Sequence, residues 1–318
     1  MMDSKKYRIE KIDKNGSIRY NLIKDVRFKD KKAKVRKAIS DPENVGFFCL
    51  ELEKKAAFKK AELVSDYYSS DYLKKIEILS LEEKRAFRNV YFKQISPDDI
   101  SLIEAGFETD YIHGTTAIEG NTFRLNEVRD LLEYGISPKK TLREINEIQN
   151  FTKTRAFANH FNGKVTVDFI KKIHSLIMDK ILENPGHFRN TGIGIIGCDL
   201  QHTPPELIED ELNELINNFY ENLQNKKHPF EQIIIFHYRF ESIHPFTDGN
   251  GRVGREIMNY FFRKEKYPQF LIRPENRTEY LSALRMGDEE KIGQMIQIFY
   301  QIYQKQLDKD ESELNRFH

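Results

Sequence analysis

From Ser96-Pro97-Asp98-Asp99 to about residue 306, apolar residues return every three or four positions with few interruptions. That spacing confines this part of the chain to helices packed around a shared core, because only a helix gathers such residues on one face. Ser96 at the cap and Pro97 at the first helical position open a helix over about 98–119, with Ile100, Ile103, Phe107 and Tyr111 on one stripe. Further helices are predicted at roughly 126–135, 142–161, 166–181, 207–224, 229–242, 250–263 and 277–306, with Thr166 as a cap. One stretch breaks the pattern. In GHFRNTGIGIIGCDLQHT, residues 186–203, Gly192, Gly194 and Gly197 alternate with β-branched Ile193, Ile195 and Ile196, which suits a short β-hairpin before Thr203-Pro204-Pro205 starts the next helix.

The first 95 residues read differently. Lys14-Asn15-Gly16 between Tyr7-Arg8-Ile9 and Ile18-Arg19-Tyr20 signals a hairpin with a two-residue turn. After Asp41-Pro42-Glu43-Asn44, residues from Gly46 to about Phe92 return to helical spacing. The chain thus divides into a mixed α/β segment, 1–95, a mainly helical domain, 96–306, and a polar tail, 307–318, expected to fray. With no Trp, the core draws its bulk from 23 Phe and 15 Tyr.

Charge narrows the partners. The net charge is +1, which argues against nucleic acid and against an anionic membrane surface. Residues 1–40 hold 14 Lys/Arg against 5 Asp/Glu, a local 14 − 5 = +9, read as a solvated face in preference to a docking patch. Cys49 and Cys198 are too few and too far apart for a disulfide framework or a zinc site. The N-terminus lacks a signal-peptide core and no apolar run is long enough to cross a membrane, so the expected location is the cytoplasm.

The stretch HPFTDGNGRVGRE, His244 to Glu256, carries the chemistry. It joins an amphipathic helix to the next one, which begins at Gly249-Asn250-Gly251. Such a helix N-terminus presents unpaired N–H groups to phosphate, and the helix dipole adds to the attraction. Arg252 and Arg255, three apart, project from about one face toward phosphoryl oxygens. Asp248 is a hard oxygen ligand suited to Mg²⁺, and His244 at the rim can take a proton from a hydroxyl. No GxxxxGK[ST] P-loop occurs in the chain. A second His-Pro-Phe at His228 has no such loop behind it and reads as a helix start, while His237 reads as a packed histidine.

The stretch resembles the HxFx[D/E]GNGRxxR signature of the Fic family at His244, Phe246, Asp248, Gly249, Asn250, Gly251, Arg252 and Arg255. The resemblance spans about 98–300, and residues 1–95 resemble nothing named. It implies a helical Fic core with a β-hairpin flap, and transfer of AMP from ATP to a hydroxyl of a protein. His244 would be the general base and Asp248 the Mg²⁺ ligand. Gly249, Asn250 and Gly251 would form the anion hole, with the Asn250 side chain on the α-phosphate, Arg252 on the β-phosphate and Arg255 on the γ-phosphate. Phe246 would anchor the loop. The target would be a protein bearing a Ser, Thr or Tyr hydroxyl, this chain included, and a homodimer is compatible with the pattern.

Thr115, Glu119 and Gly120 resemble the family's inhibitory motif [S/T]xxxE[G/N] at the end of the 98–119 helix. The resemblance implies that Glu119 pairs with Arg255 and holds the γ-phosphate position; a plain glycine C-cap is the alternative. Gly192, Ile193, Gly194 and Ile195 fall where the family has its target-docking flap, flanked by His187 and His202, read as loop histidines. Three other functions remain open at this point: removal of AMP from a modified protein by the same residues, use of a different donor, and a non-catalytic regulator that binds nucleotide or DNA.

Overall fold

Asn15 and Gly16 both adopt positive φ, 53° and 80°, the two-residue turn that Asn-Gly favours, and it joins β1 (Arg8–Lys14) to β2 (Ser17–Phe28). The computed structural model describes residues 7–43, 45–192 and 202–314. A third strand, β3 (Lys31–Ile39), completes an antiparallel sheet of order β1-β2-β3. It was not legible as a strand, because its turn, Lys29-Asp30, carries no turn signature although Lys29 takes φ 53°. Leu22 and Ile39 on one face of the sheet pack with Cys49 and Leu52 of α1 (Gly46–Ser65). Lys32, Lys34 and Arg36 alternate outward, so much of the basic excess lies in solvent. The helical run expected over 46–92 is two helices, α1 and α2 (Lys75–Tyr91).

The described residues up to 69, with 74–96 and 313–314, form one compact unit, and the described residues of 70–73 and 97–312 a second. Glu231, fully buried in the second unit, fixes residues 70–73 there by accepting bonds from the Ser70 hydroxyl and the Asp71 and Tyr72 N–H groups.

The second unit is built from nine of the eleven α-helices among the described residues: α3 (Pro97–Ile118), α4 (Leu125–Tyr134), α5 (Leu142–His160), α6 (Val167–Ile177), α7 (Ile208–Gln224), α8 (Pro229–Ile243), α9 (Asn250–Lys264), α10 (Arg277–Asp288) and α11 (Ile292–Leu314). Thr141 and Thr166 cap α5 and α6 through their side chains. The single helix expected over 277–306 breaks at Glu290, whose φ is 60°, with the Lys291 N–H closing back on the Met286 carbonyl. The polar tail does not fray at 307: α11 continues to Leu314, and Leu307 is buried. Among the described residues no helix is long and apolar enough to cross a membrane.

α9 sets the architecture because it is buried on nearly every side. Val253, Ile257, Met258, Phe261 and Phe262 meet apolar neighbours such as Phe236 of α8 and Phe219 of α7. Its polar residues are buried too, and burying a charge is tolerable only when it is paired. Each has a partner from another element: Arg252 with Glu147 of α5, Arg255 with Thr115 of α3, Glu256 with Arg155 of α5, and Asn259 with the Phe270 backbone. These pairings fix the rotation of α9 and so the direction in which its N-terminus points.

Candidate functional site

The loop 244–249 between α8 and α9 is held by its own packing and by α6. Phe246 is fully buried, its ring stacked on His174 at a centroid distance of 3.7 Å and an interplanar angle of 4°. His174 accepts from the Gly186 N–H at Nδ1, so its Nε2 is the donor to the Asp248 carbonyl, 3.1 Å away. Burial pushes its pKa down to about 4, which keeps the ring in that neutral tautomer. The Asn250 side chain accepts from the Phe246 N–H at 2.9 Å and donates to the Phe246 carbonyl at 2.8 Å. It is therefore engaged within the loop.

His244 takes the left-handed conformation, φ 51°, at the end of α8. That conformation is unfavourable for a residue with a Cβ and needs support from its surroundings. Arg189 supplies it. Its guanidinium donates to the carbonyls of His244 (2.7 Å), Ile243 (3.2 Å), Thr191 (3.0 Å) and Thr203, while its own N–H donates to the Pro245 carbonyl. Burial, followed by the neighbouring His202 ring 4.7 Å away, pushes the His244 pKa down to about 4. The ring is therefore neutral at pH 7, and one of its two nitrogens keeps a lone pair. His202 is tied to the Ser242 carbonyl at Nδ1, and its buried Nε2 has no partner among the described residues.

Arg189→Met would strip four carbonyls of a buried donor. Thermal unfolding is expected to shift down by roughly 5–15 °C, with Arg189→Lys recovering part of the loss. An unchanged melting temperature would mean that Arg189 does not hold the loop.

At the helix start, Gly249 has φ 85° and a Cβ there would strike the Met178 sulfur, so this position excludes side chains on both counts. Asp248 is half-buried. Its Oδ1 accepts from the Gly249 N–H at 2.6 Å and from Arg252 at 2.9 Å, and its Oδ2 from Arg143 of α5. Burial opposes its charge, but Arg252 and Arg143 outweigh it and hold the carboxyl below its usual range. Arg252 also donates to Glu147 at 2.7 Å. Arg255 is fully buried and donates to the Thr115 hydroxyl (2.9 Å), the Thr115 carbonyl (3.0 Å) and Glu119 (2.7 Å). Behind it, Tyr280 accepts from Arg255 at 3.4 Å and lies 3.0 Å from His237 Nε2.

Glu119 sits just past the end of α3, and Gly120, φ 96°, turns the chain there. A carboxylate at a helix C-terminus is mildly disfavoured, and the Arg255 guanidinium offsets this. The carboxylate covers the first turn of α9, since a Cβ on Gly251 would collide with Glu119 Oε1. The fold thus brings together His244, Asp248, Gly249, Asn250, Gly251, Arg252, Arg255, Thr115 and Glu119. Gly192 is described and exposed; Ile193, Gly194 and Ile195 lie outside the described residues. Sequence reasoning passed over Arg143, Glu147, His174, Arg189 and Tyr280. An Arg and a Glu four apart on α5 were the only hint of the first two.

The buried groups predict a stability optimum. His174, His237 and His244 have pKa values pushed down from 6.5 to about 4, 3 and 4, by burial in each case. As pH falls from 6.5 toward these values the unfolded chain gains protons that the folded chain refuses, so stability falls. Glu241 acts in the opposite sense. Burial raises its carboxyl from 4.5 to about 8, so the folded chain keeps a proton that the unfolded chain releases, and stability falls as pH rises through that window. Three histidines against one glutamate place the expected maximum near about pH 7. Urea unfolding from pH 4.5 to 8.5 checks this, and greatest stability at the acid end would contradict neutral histidines.

Comparison with known proteins agrees with this geometry at the level of the domain. Residues 164–262 match the Fic/DOC family. A protein adenylyltransferase, fic-1, of Caenorhabditis elegans is 30% identical over 189 residues, covering 56% of this chain and 36% of the relative. Protein adenylyltransferase Fic of Nematostella vectensis is 28% identical over 249 residues, covering 75% of this chain and 53% of the relative. The chain therefore spans about half or less of the length of these relatives. The solved structure of a segment of Fic-1 from C. elegans superposes with a TM-score of 0.65 at 22% identity, covering 87% of this chain and 80% of that one, a likeness of fold.

Proposed function

We propose, from the match of residues 164–262 to the Fic/DOC family, that this chain transfers AMP from ATP to a Ser, Thr or Tyr hydroxyl of a protein, its own chain among the candidate targets. The observation that carries the reading is His244, held neutral by burial, in the loop that leads to Asp248 and to the N-terminal turn of α9 with its two buried arginines. Names of relatives as protein adenylyltransferases support it.

In this reading the target oxygen attacks the α-phosphorus and its proton passes to the free nitrogen of His244. The bond from the α-phosphorus to the bridging oxygen breaks, and pyrophosphate leaves. The N–H groups opening α9 and Arg255 hold the phosphoryl oxygens in position, which is most of what such a transfer needs. Arg252, set between Glu147 and Asp248, orients the carboxylate. A Mg²⁺ ion fits the residues present. Among the described residues no group of three or more potential ligands occurs, and Mg²⁺ takes one or two carboxylates and completes its shell from phosphate and water, so Asp248 would hold it. Bound there, the ion would neutralise charge on the α- and β-phosphates. Glu119, lying on Arg255 and over Gly251, would keep the terminal phosphate from its place and restrain the activity.

The test uses Glu119→Gly protein, Mg²⁺, a mixture of cell proteins, and ATP labelled either at the α- or at the γ-phosphate. Label on protein from α-labelled ATP alone is the expected result. Label from γ-labelled ATP would mean phosphate transfer and would overturn the reading. If neither label transfers but the parent protein with Glu119 intact strips AMP from an AMP-modified protein, the reaction runs as removal.

A further inference from the structure

We propose that Arg143 is a positioning residue for Asp248, occupying the carboxylate oxygen that a divalent cation needs and thereby setting how tightly the metal–nucleotide binds. Asp248 Oδ1 already accepts two bonds, from the Gly249 N–H and from Arg252. Both lone-pair directions of that oxygen are thus in use, and Oδ2 is the one that can face an incoming ion. Arg143 holds Oδ2 through a short bond from Nη2. One lone pair remains on Oδ2, but a divalent ion placed there would press against a guanidinium, and two cations at such range repel strongly. Arg143 must therefore leave before the ion enters.

The side chain is built to leave. It is 53% exposed, against 2% for Arg252 and 2% for Arg255, so water can solvate it at once. It also has a second anchor, since its Nε already lies 3.3 Å from Glu147 Oε1, one helical turn along α5. Swinging toward Glu147 and solvent frees Asp248 without stranding a charge. Arg252, buried between the same two carboxylates, stays and keeps Asp248 aimed.

The two ends of the site are then closed by the chain itself in complementary ways. At one end the Glu119 carboxylate stands where an anion would sit, on Arg255; at the other the Arg143 guanidinium stands where a cation would sit, on Asp248. These contacts come from different elements, Glu119 just past α3 and Arg143 on α5. The proposal rests on the AMP-transfer reading only for its choice of a metal–nucleotide as the incoming ligand.

The experiment measures Mn²⁺ binding by the loss of the free-ion electron paramagnetic resonance signal, with α,β-methylene-ATP present. It uses the full chain with Glu119→Gly, alone and combined with Arg143→Gln or Arg143→Lys. Arg143→Gln is expected to bind Mn²⁺ several-fold more tightly, while Arg143→Lys, which restores a cation, stays near the parent. A merely structural arginine would give weaker or unchanged binding when removed. Equal affinity in all three proteins overturns the proposal, and weaker binding in Arg143→Gln does so by making Arg143 part of the bound site. If no variant binds Mn²⁺ with the nucleotide, the metal–nucleotide reading itself fails and the proposal with it.

Discussion

Replacing His244 by Ala in the Glu119→Gly protein is expected to lower AMP transfer by on the order of 10²–10⁴-fold, the usual contribution of a positioned general base. Nucleotide binding should change little, because the phosphate-facing groups belong to α9 and not to this ring. The neutral state of His244 makes the expectation sharper. With its pKa pushed down to about 4, the base is ready throughout the neutral range, and the rate should fall only as pH drops toward that value. Single-turnover transfer measured from pH 5 to 8 should be nearly flat in the parent protein. A rate that instead halves near pH 6.5 would mean that the ring is solvated in the working enzyme. A residual rate within a few-fold of the parent in His244→Ala would remove the residue from the chemistry.

Replacing Glu119 by Gly is expected to raise AMP transfer by on the order of 10–100-fold, as a competitor for Arg255 worth a few kcal/mol is withdrawn. The same change should lower stability, because Arg255 is fully buried and loses its charged partner. The loss is softened by the one-third exposure of Glu119, which lets water reach the vacated position, and by the Thr115 hydroxyl and carbonyl, which stay on the guanidinium. A fall of a few degrees in melting temperature together with increased transfer is the expected pair of results. Glu119→Gln, which keeps the shape and loses the charge, should fall between the two in both measurements. Increased stability with no gain in transfer would mean that Glu119 does not compete for the arginine.

What could be read in the chain was whatever depends on neighbours in sequence. Asn15-Gly16 and the Thr166 cap are local, and their conformations follow from residues within a few positions; the spacing of His244, Asp248 and Arg255 is likewise a matter of the sequence alone. What could not be read depends on partners far along the chain. Glu147 is 105 positions from Arg252, His174 is 74 from Asp248, and Arg189 is 55 from His244. Nothing local marks them, since an Arg in a Gly-rich loop and a Glu on a helix are ordinary on a solvated surface. Their importance arises because α9 is buried all round, which obliges every polar group on it to find a partner. Asn250 shows how far local reading reaches. Its place in the loop was legible, yet its amide turned inward, because the buried Phe246 backbone needed both a donor and an acceptor.

The distance between Glu119 and Arg255 also has a meaning in time. They are 136 positions apart, with Glu119 nearer the N-terminus. At about 5–20 residues per second of synthesis, Glu119 is made roughly 7–27 seconds before Arg255. The residues that hold the loop from outside, Glu147, His174 and Arg189, are made in that interval. α9 therefore follows the carboxylate that covers its first turn, while partners such as Phe270 and Tyr280 are made after it. During its manufacture the growing chain has no stage at which the phosphate-facing end of α9 has been made and Glu119 has not.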